Sequence, residues 1–204
     1  PGGTVQLSSG GESCSFTLAG GAGSCVLTPA APGQFELAAE YSGDSNFNPS
    51  SGSFAGPQVA KAASATTLTS SDLASVYGQP VTFTAVVDAA APGYGAPTGS
   101  IQFFLNGAAL GSPVALEHGA AESAPVSNLV PGTYSITAEY SGDGIFNPSA
   151  APAINQAVAK TDSTVTLESK LNPSPYGTPV TVVASVSAVA PSQAVPGGSV
   201  QFIV

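Results

Sequence analysis

Leu129–Ser149 reads LVPGTYSITAEYSGDGIFNPS, and this stretch decides the fold. Pro131-Gly132 is a turn signal, after which Tyr134, Ile136, Ala138 and Tyr140 alternate with Ser135, Thr137 and Glu139. A period of two is the side-chain alternation of a strand with one face buried and one wet. Ser141-Gly142-Asp143 then ends the run with residues that favour turns. The stretch predicts a single strand that places Tyr134, Ile136, Ala138 and Tyr140 inward.

Working outward, the same alternation places Val81, Phe83, Ala85 and Val87 inside, with Thr82 and Thr84 outside. Ile101, Phe103 and Leu105 form a second inward set, with Gln102 and Asn106 outward. Weaker strands fit near residues 66–69, 110–116, 121–127 and 153–159. About seven short strands separated by Pro92-Gly93, Asn106-Gly107 and Pro131-Gly132 match a two-sheet sandwich of immunoglobulin type. Plentiful Gly (24) and Pro (18), β-branched residues and the lack of a 3.6-residue apolar period exclude long helices. The chain is predicted to be all-β.

The pattern repeats. Tyr41-Ser42-Gly43-Asp44 returns as Tyr140-Ser141-Gly142-Asp143, an offset of 99 residues. The same offset relates Pro32-Gly33 to Pro131-Gly132, Asn48-Pro49-Ser50 to Asn147-Pro148-Ser149, and Val59-Ala60-Lys61 to Val158-Ala159-Lys160. It also relates Tyr77-Gly78 to Tyr176-Gly177. Shared composition alone does not hold a register across five separate blocks. Residues 62–160 are expected to form one complete repeat, 1–61 the C-terminal part of another and 161–204 the N-terminal part of a third. Pro1-Gly2-Gly3-Thr4-Val5-Gln6 matches Pro196-Gly197-Gly198-Ser199-Val200-Gln201, so the two end parts together amount to about one repeat. The sequence therefore reads as an excerpt of a longer polypeptide.

The segments YGQPVTFTAVV, PTGSIQFFLNG and LVPGTYSITAEYSGDGIFNPS resemble the bacterial immunoglobulin-like repeats that occur in arrays within large surface and secreted proteins. The resemblance spans the whole chain, and its most specific part is the block from Glu139 to Ser149. It implies extracellular placement and a role in spacing, adhesion or scaffolding, and it carries over no catalytic residue.

Charge narrows the partners. Twelve Asp and Glu face three cations, Lys61, Lys160 and Lys170, for a net charge of −9. Nothing here neutralises a phosphate backbone or an anionic membrane surface, so neither nucleic acid nor membrane is an expected partner. No apolar run is long enough to span a bilayer as a helix.

Cys14 and Cys25 flank Ala19-Gly20-Gly21. A hairpin that pairs residue 18 with 21 sets 14 opposite 25, within disulfide reach. The offset positions Pro113 and Ala124 lack both thiols together, as a bonded pair would; two reduced core thiols are the other reading. A disulfide implies an oxidising compartment, and two Cys with one distant His make a poor zinc site.

Asp44, Asn46 and Asn48 alternate like the opening of a calcium loop. The next repeat keeps Asp143 and Asn147 but has Ile145 between them, and no bidentate Glu follows. Asx-turns account for the same residues without an ion. Leu129–Tyr134 resembles a tyrosine corner, in which the Tyr134 phenol bonds upstream backbone; the matching residue Phe35 has no hydroxyl. Phe35, Tyr41, Phe83, Phe103, Tyr134, Tyr140 and Phe202 fall on inward phases, whereas Phe104 points out and Tyr94 sits in a loop. His118, the only histidine, has no nearby nucleophile or acid to orient it, so no enzyme and no cofactor are expected.

Connectors such as Lys61–Ala65 are short, which predicts a stiff or semi-stiff array rather than tethered beads. The expected function is structural, as a segment of an extracellular filament, stalk or surface protein. The alternative is an adhesin or a carbohydrate- or ligand-binding array on the cell surface. Expected partners are adjacent repeats or further copies of the chain, whose rear strands would complete the front strands of 161–204.

Overall fold

The computed structural model describes residues 2–203; Pro1 and Val204, the outermost residues of the first and last expected repeats, lie outside the described residues. Among the described residues every regular element is a strand. The chain divides into two compact units. One comprises Pro1–Ser64, Ala89–Pro97 and Gly142–Pro148; the other comprises Ala65–Asp88, Thr98–Ser141 and Ser149–Val204.

The first unit contains β1 (Thr4–Ser9), β2 (Glu12–Thr17), β3 (Gly33–Tyr41) and β4 (Ser50–Val59), hydrogen-bonded in the order β2-β1-β3-β4. All neighbours are antiparallel, with Val5 opposite Tyr41 and Leu7 opposite Ala39. Val5, Leu7, Phe35, Leu37, Ala39 and Tyr41 share one face and are only half-buried, because a single sheet lies beneath them. The segments 89–97 and 142–148 belong to this unit because the connector after β4 bonds to them. Ala62 N–H donates to the Ile145 carbonyl at 2.9 Å, and Asn147 N–H donates to the Ala62 carbonyl at 2.9 Å. The Ser64 hydroxyl donates to the Asn147 carbonyl at 2.8 Å.

The turn after β2 corrects the expected register. Ala19 pairs with Ala22, not residue 18 with 21. Gly20 and Gly21 have φ of +63° and +84°, the left-handed pair that closes a two-residue hairpin. Residues 23–29 then run on without a ladder.

The second unit begins with β5 (Ser64–Ser70), whose first residue belongs to the other unit, followed by β6 (Ala74–Val76), β7 (Phe83–Ala89) and β8 (Ser100–Leu105). Next come β9 (Ala108–Ala109), β10 (Val114–Ala115), β11 (Ala120–Glu122), β12 (Gly132–Tyr140), β13 (Ser149–Ala150) and β14 (Ile154–Ala159). One sheet runs β10-β8-β12-β14-β6, with β9 and β13 attached to β8 and β12; the other runs β11-β7-β5. Where seven strands were expected, ten form between Ser64 and Ala159. The run 110–116 keeps only β10 and 121–127 keeps only the end of β11, while the first strand is split by a crossing. The chain leaves β7 after β5, turns at Asp72, and joins β14 as the parallel strand β6. Asp72 fixes that crossing: its Oδ1 accepts the Ala74 N–H at 3.0 Å and its Oδ2 accepts Gln79 Nε2 at 3.0 Å.

The core lies between these two sheets. Val81, Phe83, Ala85, Val87, Ile101, Phe103, Ile136, Ala138 and Tyr140 are buried. By area bookkeeping, each large apolar side chain removed from water here contributes roughly 1.5–3 kcal/mol before chain entropy is counted. Tyr134, at the start of β12, is half-buried.

The unit ends in a two-stranded sheet of β15 (Ser163–Ser169) and β16 (Val182–Ala188), with Thr164 opposite Ser187 and Leu167 opposite Ala184. Phe202, read as inward, is 53% exposed, and residues 199–203 form no strand. An inward phase buries a side chain only when a strand pairs beside it, and among the described residues 199–203 join no ladder.

Candidate functional site

The Tyr-Ser-Gly-Asp blocks form the same loop twice. Asp44 Oδ1 accepts the N–H groups of Asn46 at 2.8 Å and Phe47 at 2.9 Å, while Oδ2 accepts Gly2 N–H at 2.6 Å. Asp143 Oδ1 likewise accepts Ile145 and Phe146 N–H, both at 2.7 Å. Each carboxylate therefore caps an Asx-type turn. Gly43 and Gly142 have φ of +78° and +73°, and a Cβ on either would stand 2.9 Å from the Pro49 or Pro148 nitrogen. The N–H of Asn46, with those of Gly2 and Phe47, holds the Asp44 carboxyl below the usual carboxylate range against an opposing desolvation effect. Asn46 and Asn48 supply no side-chain ligand to Asp44 in this arrangement; the bonds come from backbone. Among the described residues no cluster of His, Cys, Asp or Glu has the composition of a metal site.

The block's tyrosine anchors the neighbouring strand. Tyr41 Oη donates to the Gly2 carbonyl at 2.7 Å, and Tyr140 Oη donates to that of Thr98. Desolvation first, and the adjoining Asp44 carboxylate second, push the Tyr41 phenol up from its ordinary value. The Tyr134 hydroxyl donates to the Val130 carbonyl, four positions upstream, at 2.8 Å and closes the corner. At the matching place Phe35 has only ring contact, lying where a Cβ on Gly10 would come within 2.9 Å of it.

Cys14 and Cys25 are joined in a disulfide with Cα atoms 6.2 Å apart. It links β2 to the ladder-free segment that follows the glycine turn, so its partners are not cross-strand neighbours. His118 is exposed in a tight turn, at φ +53°, between Glu117 and Ala120, which pair with each other. Tyr94 is exposed in its loop, and Phe104 is half-buried on the outer side of β8.

One buried feature has no counterpart in the sequence reading. The Gln156 side chain is fully buried, and its Oε1 accepts the Ser70 hydroxyl at 2.8 Å. Its Nε2 donates to Ser75 Oγ at 3.1 Å and to the Ala157 carbonyl at 3.2 Å. The amide thus satisfies both sides of the crossing from β5 to β6. A polar residue on an inward phase of a strand was the available signal.

Two sheets, antiparallel but for the β14–β6 pair, that enclose one apolar core, a tyrosine corner and a first strand that changes sheets define an immunoglobulin-like β-sandwich module. Residues 68–159 match the family model of the bacterial Ig-like domain, group 3. Modules of this class are in general non-catalytic. A solved structure of the fibronectin(III)-like modules of CbhA from Clostridium thermocellum is 16% identical, covers 78% of each chain and superposes with a TM-score of 0.34. No curated protein matches the sequence.

Proposed function

We propose that the chain is a structural, non-catalytic run of successive Ig-like repeats from an extracellular filament, stalk or surface protein, with the C-terminal part of one repeat at 1–61, a complete repeat at 62–160 and the N-terminal part of a further one at 161–204. The observation that carries this reading is the recurrence of whole strands at one offset. β3 and β12 start and end 99 residues apart, as do β5 and β15, and β7 and β16. Pairing recurs with them: Val5 opposes Tyr41 as Ile101 opposes Tyr140. A chain that rebuilds one module every 99 residues gains length without new chemistry. The disulfide supports an oxidising, extracellular setting.

Electron microscopy of native material tests the proposal. Ordered fibres or stalks with a repeat commensurate with one or two modules are expected. Isolated particles whose single modules bind sugars or a host surface would replace it with the adhesin reading.

A further inference from the structure

β6 is three residues long, yet it is held from three sides. Its inner edge pairs in parallel with β14, Ala74 opposite Ala157 and Val76 opposite Ala159. The ladder runs past the strand at each end: Ala157 N–H donates to the Leu73 carbonyl and Tyr77 N–H to the Ala159 carbonyl, both at 2.9 Å. On the outer edge, where the sheet ends, side chains take the place of a strand. Ala74 N–H donates to Asp72 Oδ1 at 3.0 Å, and Val76 N–H donates to Gln79 Oε1 at 3.1 Å. Gln79 Nε2 donates to Asp72 Oδ2 at 3.0 Å, so the two side chains close a bracket along β6. From the core side, the Gln156 amide of β14 bonds Ser70 at the end of β5 and Ser75 within β6.

Chain direction gives this arrangement a mechanical consequence. Tension along the polypeptide enters the repeat ahead of β5 and leaves it after β14. It pulls β6 toward its own N-terminus and β14 toward its own C-terminus. Because the strands are parallel, these pulls slide one past the other, and the evenly spaced bonds between them are strained together. We infer that β6, bracketed by Asp72 and Gln79 and tied by Gln156, is a mechanical lock that keeps the repeat folded under tension. The bracket holds residues 74–76 extended, so the pull spreads along the ladder and does not peel it from one end. Gln156 adds bonds between β14 and both sides of the crossing, and these lie across the same sliding path. Its side chain is fully buried, so no water stands ready to replace those bonds as the strands part. The property belongs to a single repeat and holds whether or not repeats assemble into fibres.

Single-molecule stretching of the full chain by its two ends tests this. Residues 64–159 are expected to release in one step of roughly 300 Å, their extended length at about 3.3–3.6 Å per residue less the folded span. Forced unfolding reads the barrier, not the net stability. Gln156→Leu and Gln79→Ala are each expected to unfold about tenfold faster at a fixed force, since each lacks hydrogen bonds that the lock must break. Gln79 is half-buried at the outer edge, so its replacement leaves the core intact, and circular dichroism checks that both variants keep their strands. Ile101→Val is the control: it weakens the core at β8 and lowers urea stability, but β8 is still in place when the lock gives. Its rate under tension is expected to stay within about twofold of wild type. In a second geometry, Leu73→Cys with Ala153→Cys puts both handles at the same end of the parallel pair, where the bonds break one at a time. That protein is expected to open at a lower force than wild type pulled by its ends. Equal forces in the two geometries, lock variants that unfold no faster than wild type, or an Ile101→Val rate raised as much as theirs overturns the inference. Stretching reads the repeat alone, so its failure leaves the fibre proposal standing, and micrographs without fibres leave the lock standing.

Discussion

The Tyr140 hydroxyl donates to the carbonyl of Thr98, tying the end of β12 to the residue two positions ahead of β8 across 42 positions of sequence. Tyr41 and Gly2 make the equivalent tie in the first sheet. The tyrosine of the repeated block therefore joins two strands that meet only in the folded state. Tyr140→Phe keeps the buried ring and deletes the bond, leaving the Thr98 carbonyl one donor short. A loss of about 1–2 kcal/mol is expected in urea unfolding. Tyr134→Phe, at a corner open to water, should cost less, about 0.5–1 kcal/mol, because solvent can replace its hydroxyl.

Gly142 and Asp143 complete the block by a different physical route. Gly142 sits at φ +73° against the Pro148 nitrogen, so Gly142→Ala meets both a strained backbone and a collision. Destabilisation of about 1–3 kcal/mol is expected. Gly43→Ala should behave alike in the first sheet, where a Cβ would lie 2.9 Å from the Phe47 carbonyl oxygen. Thermal unfolding of each variant beside wild type checks both, and unchanged midpoints would contradict the steric argument.

Acid should loosen these turns. Backbone donors led by Asn46 N–H lower the Asp44 carboxyl, and Ala74 N–H followed by Gln79 lowers that of Asp72. A carboxyl depressed in the folded state contributes stability that is present above its unfolded value, near about 3.9, and is lost as pH falls through the folded value. The thermal midpoint is expected to hold from neutral pH to about pH 5 and to fall below about pH 4. Asp44→Asn with Asp72→Asn should flatten that fall, since an amide oxygen still accepts the N–H groups but does not titrate in this range.

Alternation made most of the fold readable, because period two and a buried face are the same fact at strands 81–87, 101–105 and 134–140. Features set by distant partners were not readable. β6 is three residues long and pairs in parallel with a strand some 80 positions later, so no local pattern encodes it. Phe202 has the inward phase of Val5 and Ile101, but among the described residues 199–203 join no ladder. The hairpin after β2 was misregistered by one residue on each side because two glycines permit several turns, and only their paired positive φ selects Ala19 opposite Ala22. Of the site residues, the Asp44 and Asp143 turns follow from side-chain length and position. The buried Gln156 does not, because a glutamine on a strand is ordinarily solvent-facing.

Reduction of the Cys14–Cys25 bond offers a local probe. The disulfide closes 11 positions of chain, for which loop entropy suggests about 2–3 kcal/mol. That contribution belongs to the first sheet, where β2 is an edge strand held on one side only by β1. Hydrogen exchange under reductant is expected to quicken in residues 12–29 and to leave β7, β8 and β12 unchanged. Uniform acceleration along the chain would mean that the sheets unfold as one.

Gln156 gives the sharpest test of the crossing from β5 to β6. Its amide is the shared partner of Ser70 and Ser75, which stand on either side of the turn at Asp72. Gln156→Ala opens a cavity and removes one partner from each hydroxyl, which leaves Ser70 its bonds to Asp72 and Ser75 its bond to the Ala157 carbonyl, an expected loss of about 2–4 kcal/mol. Gln156→Leu fills the space and still removes the hydrogen bonds, so its cost isolates the polar contribution, about 1–3 kcal/mol. The repeat itself supplies a comparison, since the matching residue at the first sheet is Pro57, which has neither donor nor acceptor in its side chain. If Gln156→Leu proves as stable as wild type in urea, packing alone fixes the crossing and the amide has no structural role.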